Sequence, residues 1–237
     1  QKHIDRITSR PLCFDDPVRL TKTLEGADVL YCTYWIRFAS HGDTHAKAAE
    51  RCRVLFECAR DAGVRKVVYA AHTGLSADSQ FEYIAGKARA VQHLKEVSAS
   101  SRMKYAVVKP CGIFGDLPSE SILFNNAAYV IRRTPVFLLP LDGMARFQPI
   151  DVNDMASLMA DVGSKSISTS GEEIDAVGSD APTALELFEC LRDVCGARSV
   201  VLPSGFSTRI VTTLTKPLDW LTGDILLDAD DLDLMYS

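Results

Sequence analysis

The stretch DTHAKAAERCRVLFECARDAGVRKVVYAA (residues 43–71) carries two different periodicities back to back. Ala46, Ala49, Cys52, Phe56 and Ala59 recur near one face of a 3.6-residue period, which predicts a helix over 43–62. Gly63 follows where a helix commonly stops in the left-handed conformation. RKVVYAA (65–71) is then a short apolar run with the composition of a buried strand. A helix that runs straight into a buried strand is half of a parallel crossover unit.

Reading outward from there extends the pattern. FDDPVRLTKTLEGADVLYCTYW (14–35) predicts a helix with Pro17 in its first turn, a stop at Gly26 and a strand from Val29. On the other side, residues 80–98 predict a helix and KYAVVKP (104–110) a strand. Strand, helix, strand, helix, strand at this pace implies an α/β protein, a parallel sheet with helices on both faces joined by right-handed crossovers. Beyond residue 116 the pattern loosens. SILFNNAAYVIRR (121–133) predicts a helix, and RFQPIDVNDMASLMADV (146–162) a short strand and a helix capped near Asp151. EEIDAVGS, TALELFECLRDVCG and RSVVLP (172–203) give strand, helix, strand. The acidic close, PLDWLTGDILLDADDLDLM (217–235), offers Asp228 as the cap of a last helix. The expected organisation is a core over 1–116, followed by 117–237 with the remaining core elements and a small α/β lobe of the substrate-binding type.

Composition narrows the function. The 237 residues are 47% hydrophobic and 24% charged, ordinary for a globular chain, and the net charge is -5 with the basic residues scattered. Nothing forms the Lys/Arg stripe that nucleic acid demands, so no nucleic-acid partner is expected. The most apolar stretch, VIRRTPVFLLPL (130–141), is interrupted by two arginines and two prolines, so a membrane is a neighbour at most. The seven cysteines make no C-x-x-C pair and no zinc spacing, so no metal is expected and a reducing compartment is. His41 and His45 lie in the polar SHGDTH, where a surface or capping role is expected ahead of a metal site. The chain opens on Gln1, which points to a processed mature chain or a fragment.

The chemistry-bearing segment is QFEYIAGKARAVQHL (80–94), where Tyr83 and Lys87 stand one helical turn apart. A phenol, with an ordinary pKa near ~10, needs a nearby cation to exchange protons usefully at neutral pH. The plain alternative is a chance pair, tyrosine half-buried and lysine solvated. Three other segments accompany it in order: FDDPVRLTKTLEGADVLY (14–31), VVKPCGIFG (107–115) and QPIDVNDMA (148–156). With these four features, from about Pro11 to Met235, the chain resembles the atypical, extended-type short-chain dehydrogenase/reductases of the Rossmann superfamily. Within them it looks most like the branch holding bacterial NAD(P)H-binding proteins and the accessory subunit of mitochondrial respiratory complex I.

That resemblance implies roles. Tyr83 is the general acid/base, and Lys87 lowers its pKa and binds the nicotinamide ribose. Thr73, with Ser76 nearby in AAHTGLS, is the third hydroxyl, since Ala71 stands where many relatives carry serine. Pro110 and Ile113 match the segment beside the nicotinamide. It also implies what is missing. The fourteen glycines contain no G-x-G, and Gly112 with Gly115 make the sole G-x-x-G. The resemblance sets Gln1 near the third strand of the family, so the first β-α-β unit with its phosphate-binding turn is expected to be lacking. Cys13 stands where relatives carry an aspartate against the adenine, and a thiol accepts hydrogen bonds poorly.

Two readings follow. One is a structural accessory subunit of a large mitochondrial assembly, complex I foremost, on the matrix side of the inner membrane and peripheral to it. Its partners are other protein subunits, and Tyr83, Lys87 and Thr73 are relics. The other is an NAD(P)-dependent oxidoreductase or epimerase whose glycine-rich unit lies outside this sequence. NAD(P) is the expected cofactor if that unit is supplied, and none otherwise. A nucleotide sensor without turnover is a third reading and needs the same unit. Asp151 and Asp154 are expected to cap and begin a helix, and Tyr34 and Trp35 to pack.

Overall fold

The computed structural model describes residues 7–39, 42–115, 121–164, 171–222, 226, 227, 229, 232 and 233. His41 and Asp228 lie outside the described residues. The elements are α1 (Pro17–Leu24), β1 (Val29–Cys32), α2 (His45–Asp61), β2 (Lys66–Ala70), α3 (Glu82–Ala99), β3 (Lys104–Pro110), β4 (Ile113–Phe114), α4 (Ile122–Arg133), β5 (Val136–Leu139), β6 (Ile150–Asp151), α5 (Val152–Ser164), β7 (Glu172–Ala176), α6 (Ala184–Val194), β8 (Val200–Pro203) and α7 (Thr208–Thr222). They fall into two compact units, 1–109 with 158–175, and 110–157 with 176–237. Compared with a division at 116/117, the break comes at 109/110 and residues 158–175 return to the first unit. The Gly171 amide donates to the Tyr105 carbonyl at 3.0 Å, and Lys95 and Lys109 both reach Glu173, which holds the returning segment.

The first unit is built on a sheet ordered β1-β2-β3-β7. β1, β2 and β3 run parallel, with Val29 opposite Lys66 and Val67 opposite Tyr105. α2 and α3 make the crossovers that parallel pairing demands. The local signals explain the boundaries. The Asp16 carboxylate accepts from the Arg19 amide at 3.0 Å, with Pro17 in the first turn of α1. Thr44 caps α2 through the Lys47 amide, and Gly63 stops it at φ +80°.

Alternation along β2 assigns the two faces. Val67 and Tyr69 pack with Leu20, Phe56, Leu94 and Val107 in one apolar core. Lys66, fully buried on the other face, donates to the Val162 carbonyl at 2.7 Å. Val162 lies in the last turn of α5, where carbonyls lack helical partners and the helix dipole is negative, so a buried cation is well matched there.

The second unit pairs β5 with β8 and β4 with β6, all parallel. Its core collects Ile131, Phe137, Leu139, Phe188 and Val201 around α4 and α6. α6 starts with a reciprocal Thr183–Glu186 capping box. The expected cap near Asp151 is present, its carboxylate accepting from the Asn153 amide at 2.7 Å. Two elements differ from the sequence reading. VFLL, read only as an apolar run, is β5, and 208–222 is a helix despite Pro217 within it.

Gly178 marks the tightest backbone approach in the second unit. Its amide donates to the Gln148 carbonyl at 3.2 Å, and the Gln148 side chain returns a bond to its carbonyl at 3.1 Å. A Cβ here would stand 2.3 Å from the Pro149 carbonyl oxygen, a rigid backbone atom. Gly178→Ala is therefore expected to lower unfolding stability by about 2 kcal/mol or more in urea titration. Gly112→Ala, whose Cβ meets nothing within 4 Å, is expected not to lower it.

Candidate active site

The site grows from the end of β2. Ala70 closes that strand, and Ala71, His72 and Thr73 carry the chain away from it. α3 begins at Glu82, so Tyr83 sits in its first turn and Lys87 one turn further on. Between them Gly86 leaves the helix bare. A Cβ at Gly86 would stand 3.1 Å from both the Cβ and the carbonyl oxygen of His45, and 3.2 Å from Cη2 of Trp35. The first residue of α2 and the segment after β1 thus close onto α3 at the one point without a side chain.

This approach surrounds Tyr83 with rings. Its phenol meets Trp35 edge-on at 6.0 Å between centroids, His45 at 5.6 Å and His72 at 5.8 Å. Trp35 in turn stacks on His45 at 6.1 Å. His45 is only 8% exposed, which corrects the expected surface or capping role: Thr44 makes the cap and the imidazole packs inward. Trp35 and Tyr34 pack against the first core, as expected.

Lys87 departs most from a chance helical lysine. It is 4% exposed, and its ammonium donates to the Ala70 carbonyl at 2.7 Å. The same nitrogen lies 4.7 Å from the Trp35 ring centre and 5.0 Å from that of Tyr69. Burial draws its pKa from 10.5 down to about 8, against the opposing pull of Cys52 and Cys32. Burial likewise pushes the Tyr69 phenol well above its usual range. The Tyr69 hydroxyl finds no oxygen or nitrogen partner, and the Cys52 thiol is the polar group beside it.

His72 presents Nδ1 to the Thr73 carbonyl at 2.5 Å, so Nδ1 carries the proton and Nε2 is left as the acceptor. Burial holds this imidazole below the ordinary histidine range, so it is neutral at pH 7. The structure thus gathers Tyr83 and Lys87 with His72, His45 and Trp35. Thr73 is half-buried next to His72, and Ser76 is exposed. Pro110, buried, ends β3, and Ile113 pairs with Ile150 in the second unit. Sequence reasoning passed over His72 and His45 as site residues, although AAHTG following a buried strand was the available signal for His72.

A nicotinamide dinucleotide fits these residues only in part. Tyr83 and Lys87 are the right groups for its reactive end. The Lys87 ammonium, however, is engaged by Ala70 and roofed by Trp35, and no G-x-G occurs in the sequence to cradle a diphosphate. Among the described residues no cluster of three or more His, Cys, Asp or Glu side chains could hold a metal ion, and no helix is long and apolar enough to cross a membrane.

The depressed Lys87 pKa makes a stability prediction. Below about pH 8 the lysine is charged in both states, and folding bears the full cost of burying that charge. Between about 8 and 10.5 the folded chain releases the proton and the unfolded chain keeps it, so this group's contribution to stability rises with pH. Across that window the rise is worth about 3 kcal/mol. Urea titrations from pH 7 to 10.5 should show it as a difference between the wild type and Lys87→Met, which loses it.

No family model matches the chain, and no curated protein matches it in sequence. Solved structures do resemble it. A UDP-N-acetylglucosamine 4-epimerase from Bacillus cereus superposes with a TM-score of 0.67 at 14% identity, over 84% of this chain and 73% of that one. A double mutant of the dTDP-glucose 4,6-dehydratase DesIV from Streptomyces venezuelae, with NAD bound, gives 0.61 at 20% identity, over 94% and 72%. A UDP-glucuronic acid 4-epimerase from Bacillus cereus, in complex with NAD, gives 0.63 at 13% identity, over 92% and 78%. Likeness at such identities concerns the fold, and on that ground the chain shares the α/β, Rossmann-like fold of these structures.

Proposed function

We propose that this chain carries the acid/base half of an NAD(P)-dependent oxidoreductase or epimerase acting on a hydroxyl-bearing substrate. The observation that carries this is the placement of Tyr83 and Lys87 against the carboxyl end of β2, the end of a parallel sheet where ligands gather. The Tyr83 oxygen gives or takes the proton of the reacting hydroxyl or carbonyl. Lys87, with a pKa of about 8, remains mostly cationic at neutral pH one helical turn from that phenol. Thr73 is the candidate for a second hydroxyl at the reacting oxygen. Lys87 is the residue for the nicotinamide end of the cofactor. The cofactor, when bound, accepts and returns hydride. The rings of Trp35, His45 and His72 pack against the Tyr83 ring, which stays partly exposed. The similar structures, two epimerases and a dehydratase of nucleotide-linked sugars, support this reaction class.

A second reading rests on the enclosure of Lys87. An ammonium closed in by Ala70, Trp35 and Tyr69 is also what a structural residue looks like. On this reading the chain is an accessory subunit of a large assembly such as mitochondrial complex I, matrix-side and peripheral to the inner membrane, with protein subunits as partners.

Two measurements separate the readings. NAD(P)H formation from NAD(P)⁺ with a panel of UDP- and dTDP-hexoses should fall about 100-fold or more in Tyr83→Phe, with urea stability unchanged; a fully active variant removes Tyr83 from the mechanism. Native mass spectrometry of the protein from its source should find retained NAD(P) if the first reading holds. Release from a very large complex without nucleotide supports the second.

A further inference from the structure

The amino end of β2 and β3 carries a cleft of about 310 Å³, between the turn from α2 into β2 and the turn from α3 into β3. Four cationic side chains line it: Arg60 from the last turn of α2, Arg65 just before β2, Arg102 between α3 and β3, and Lys104 at the start of β3. Gly63 leaves part of its surface bare, with nothing within 4 Å of where a Cβ would stand. The two turns are fixed to each other and within themselves. The Lys104 amide donates to the Arg65 carbonyl at 2.9 Å, and the Met103 amide to the Ser101 hydroxyl at 3.2 Å.

Helix ends explain why four like charges tolerate one another here, since α2 and α3 both end beside the cleft and their dipoles are negative there. Capping those ends does not occupy the cations. The Ala59 carbonyl accepts from the Val64 amide at 2.9 Å and that of Arg60 from the Gly63 amide at 3.1 Å. The Val97 carbonyl accepts from the hydroxyls of Ser100 and Ser101, at 3.0 and 2.9 Å. Arg60 and Arg65 each give one N–H to a carboxylate, Asp61 at 2.8 Å and Asp28 at 3.4 Å, in pairs too exposed to be worth much. A guanidinium has five such donors. The side chains of Arg102 and Lys104 make no hydrogen bond or ion pair among the described residues. Four cations against two carboxylates, on a chain of net charge -5, leave this cleft short of an anion.

We propose that this cleft binds a diphosphate group, either free pyrophosphate or the diphosphate of a nucleotide. Three arginine forks match phosphate oxygens bidentately, and Lys104 adds a point charge beside them. The excess of two positive charges suits a multiply charged anion, and the volume suits a small one. The cleft is distinct from the Tyr83–Lys87 site, because β2 runs between them: Arg65 stands before its first residue, and Ala70, which anchors Lys87, is its last.

The test is isothermal titration calorimetry of the native full chain with pyrophosphate in about 0.15 M salt, which screens long-range attraction to exposed charges. Binding should saturate at one site, and Arg102→Ala combined with Lys104→Ala should weaken it about 10-fold or more. Lys22→Ala with Lys216→Ala, which removes as many exposed cations elsewhere, should leave it unchanged. A parallel titration with ADP separates the two sources. Tighter binding than pyrophosphate, lost in the same double variant, assigns the cleft to a nucleotide, and equal affinity assigns it to the diphosphate alone. Absence of saturable pyrophosphate binding overturns the proposal. So does binding that the Arg102/Lys104 variant retains in full, or that the distant pair weakens equally. If urea titration shows that the double variant does not fold, Arg102→Ala alone, at an exposed turn residue, decides by the same criterion.

Discussion

An ammonium inside an apolar interior must find oxygen, and Lys87 finds one, the carbonyl of Ala70. The cost of stranding a buried charge is several kcal/mol, so this bond ties the rotation of α3 to the end of β2. Other geometry follows from it. With Lys87 directed at the strand, Tyr83, one turn earlier, shares its face of the helix. Gly86, immediately before Lys87, becomes the bare point on which His45 and Trp35 settle. The aromatic wall thus depends on a lysine that belongs to the same turn. Tyr69 and Trp35 complete the enclosure by offering ring faces to the remaining N–H groups.

The first unit buries a second lysine by the same device in a different setting. Lys66 reaches a carbonyl in the last turn of α5, an orphan acceptor at the negative end of a helix. Its task is complete there, because cation and helix end compensate each other. Lys87 meets a strand-end carbonyl, two π-faces and, nearby, two thiols. Burial lowers its pKa to about 8, and the thiols oppose that shift. Two residues of one type, buried on opposite sides of one strand, are thus set to different ends: one holds a helix and the other sits where proton chemistry is possible.

The legible part of the fold was the part written in local periodicity. The helix over 43–62 and the strand at 65–71 appear as α2 and β2 because each carries its own apolar repeat and Gly63 punctuates them. The Pro17 start and the Asp151 cap were readable for the same reason, since such signals act within a few residues. β5 was not, because VFLL becomes a strand only by pairing with β8, far along the chain. α7 ran against a local rule at Pro217. At the site, the sequence located Tyr83 and Lys87 but not their surroundings. A charged residue reads as solvated by default, and a histidine in a polar stretch reads as surface. Lys87 and His45 break both defaults through contacts made across α2, α3 and the segment after β1.

Enclosure of the ammonium and a role in chemistry are compatible in one geometry. Lysine has three N–H donors, and the Ala70 carbonyl takes one. Trp35 covers another direction, and it is held by ring contacts with His45 and Tyr83 and by fit against Gly86. Its indole nitrogen is buried without a hydrogen-bond partner, so displacing the ring sacrifices packing and no polar bond. In this arrangement the strand fixes the charge, and Trp35 and Tyr69 cover it with their ring faces.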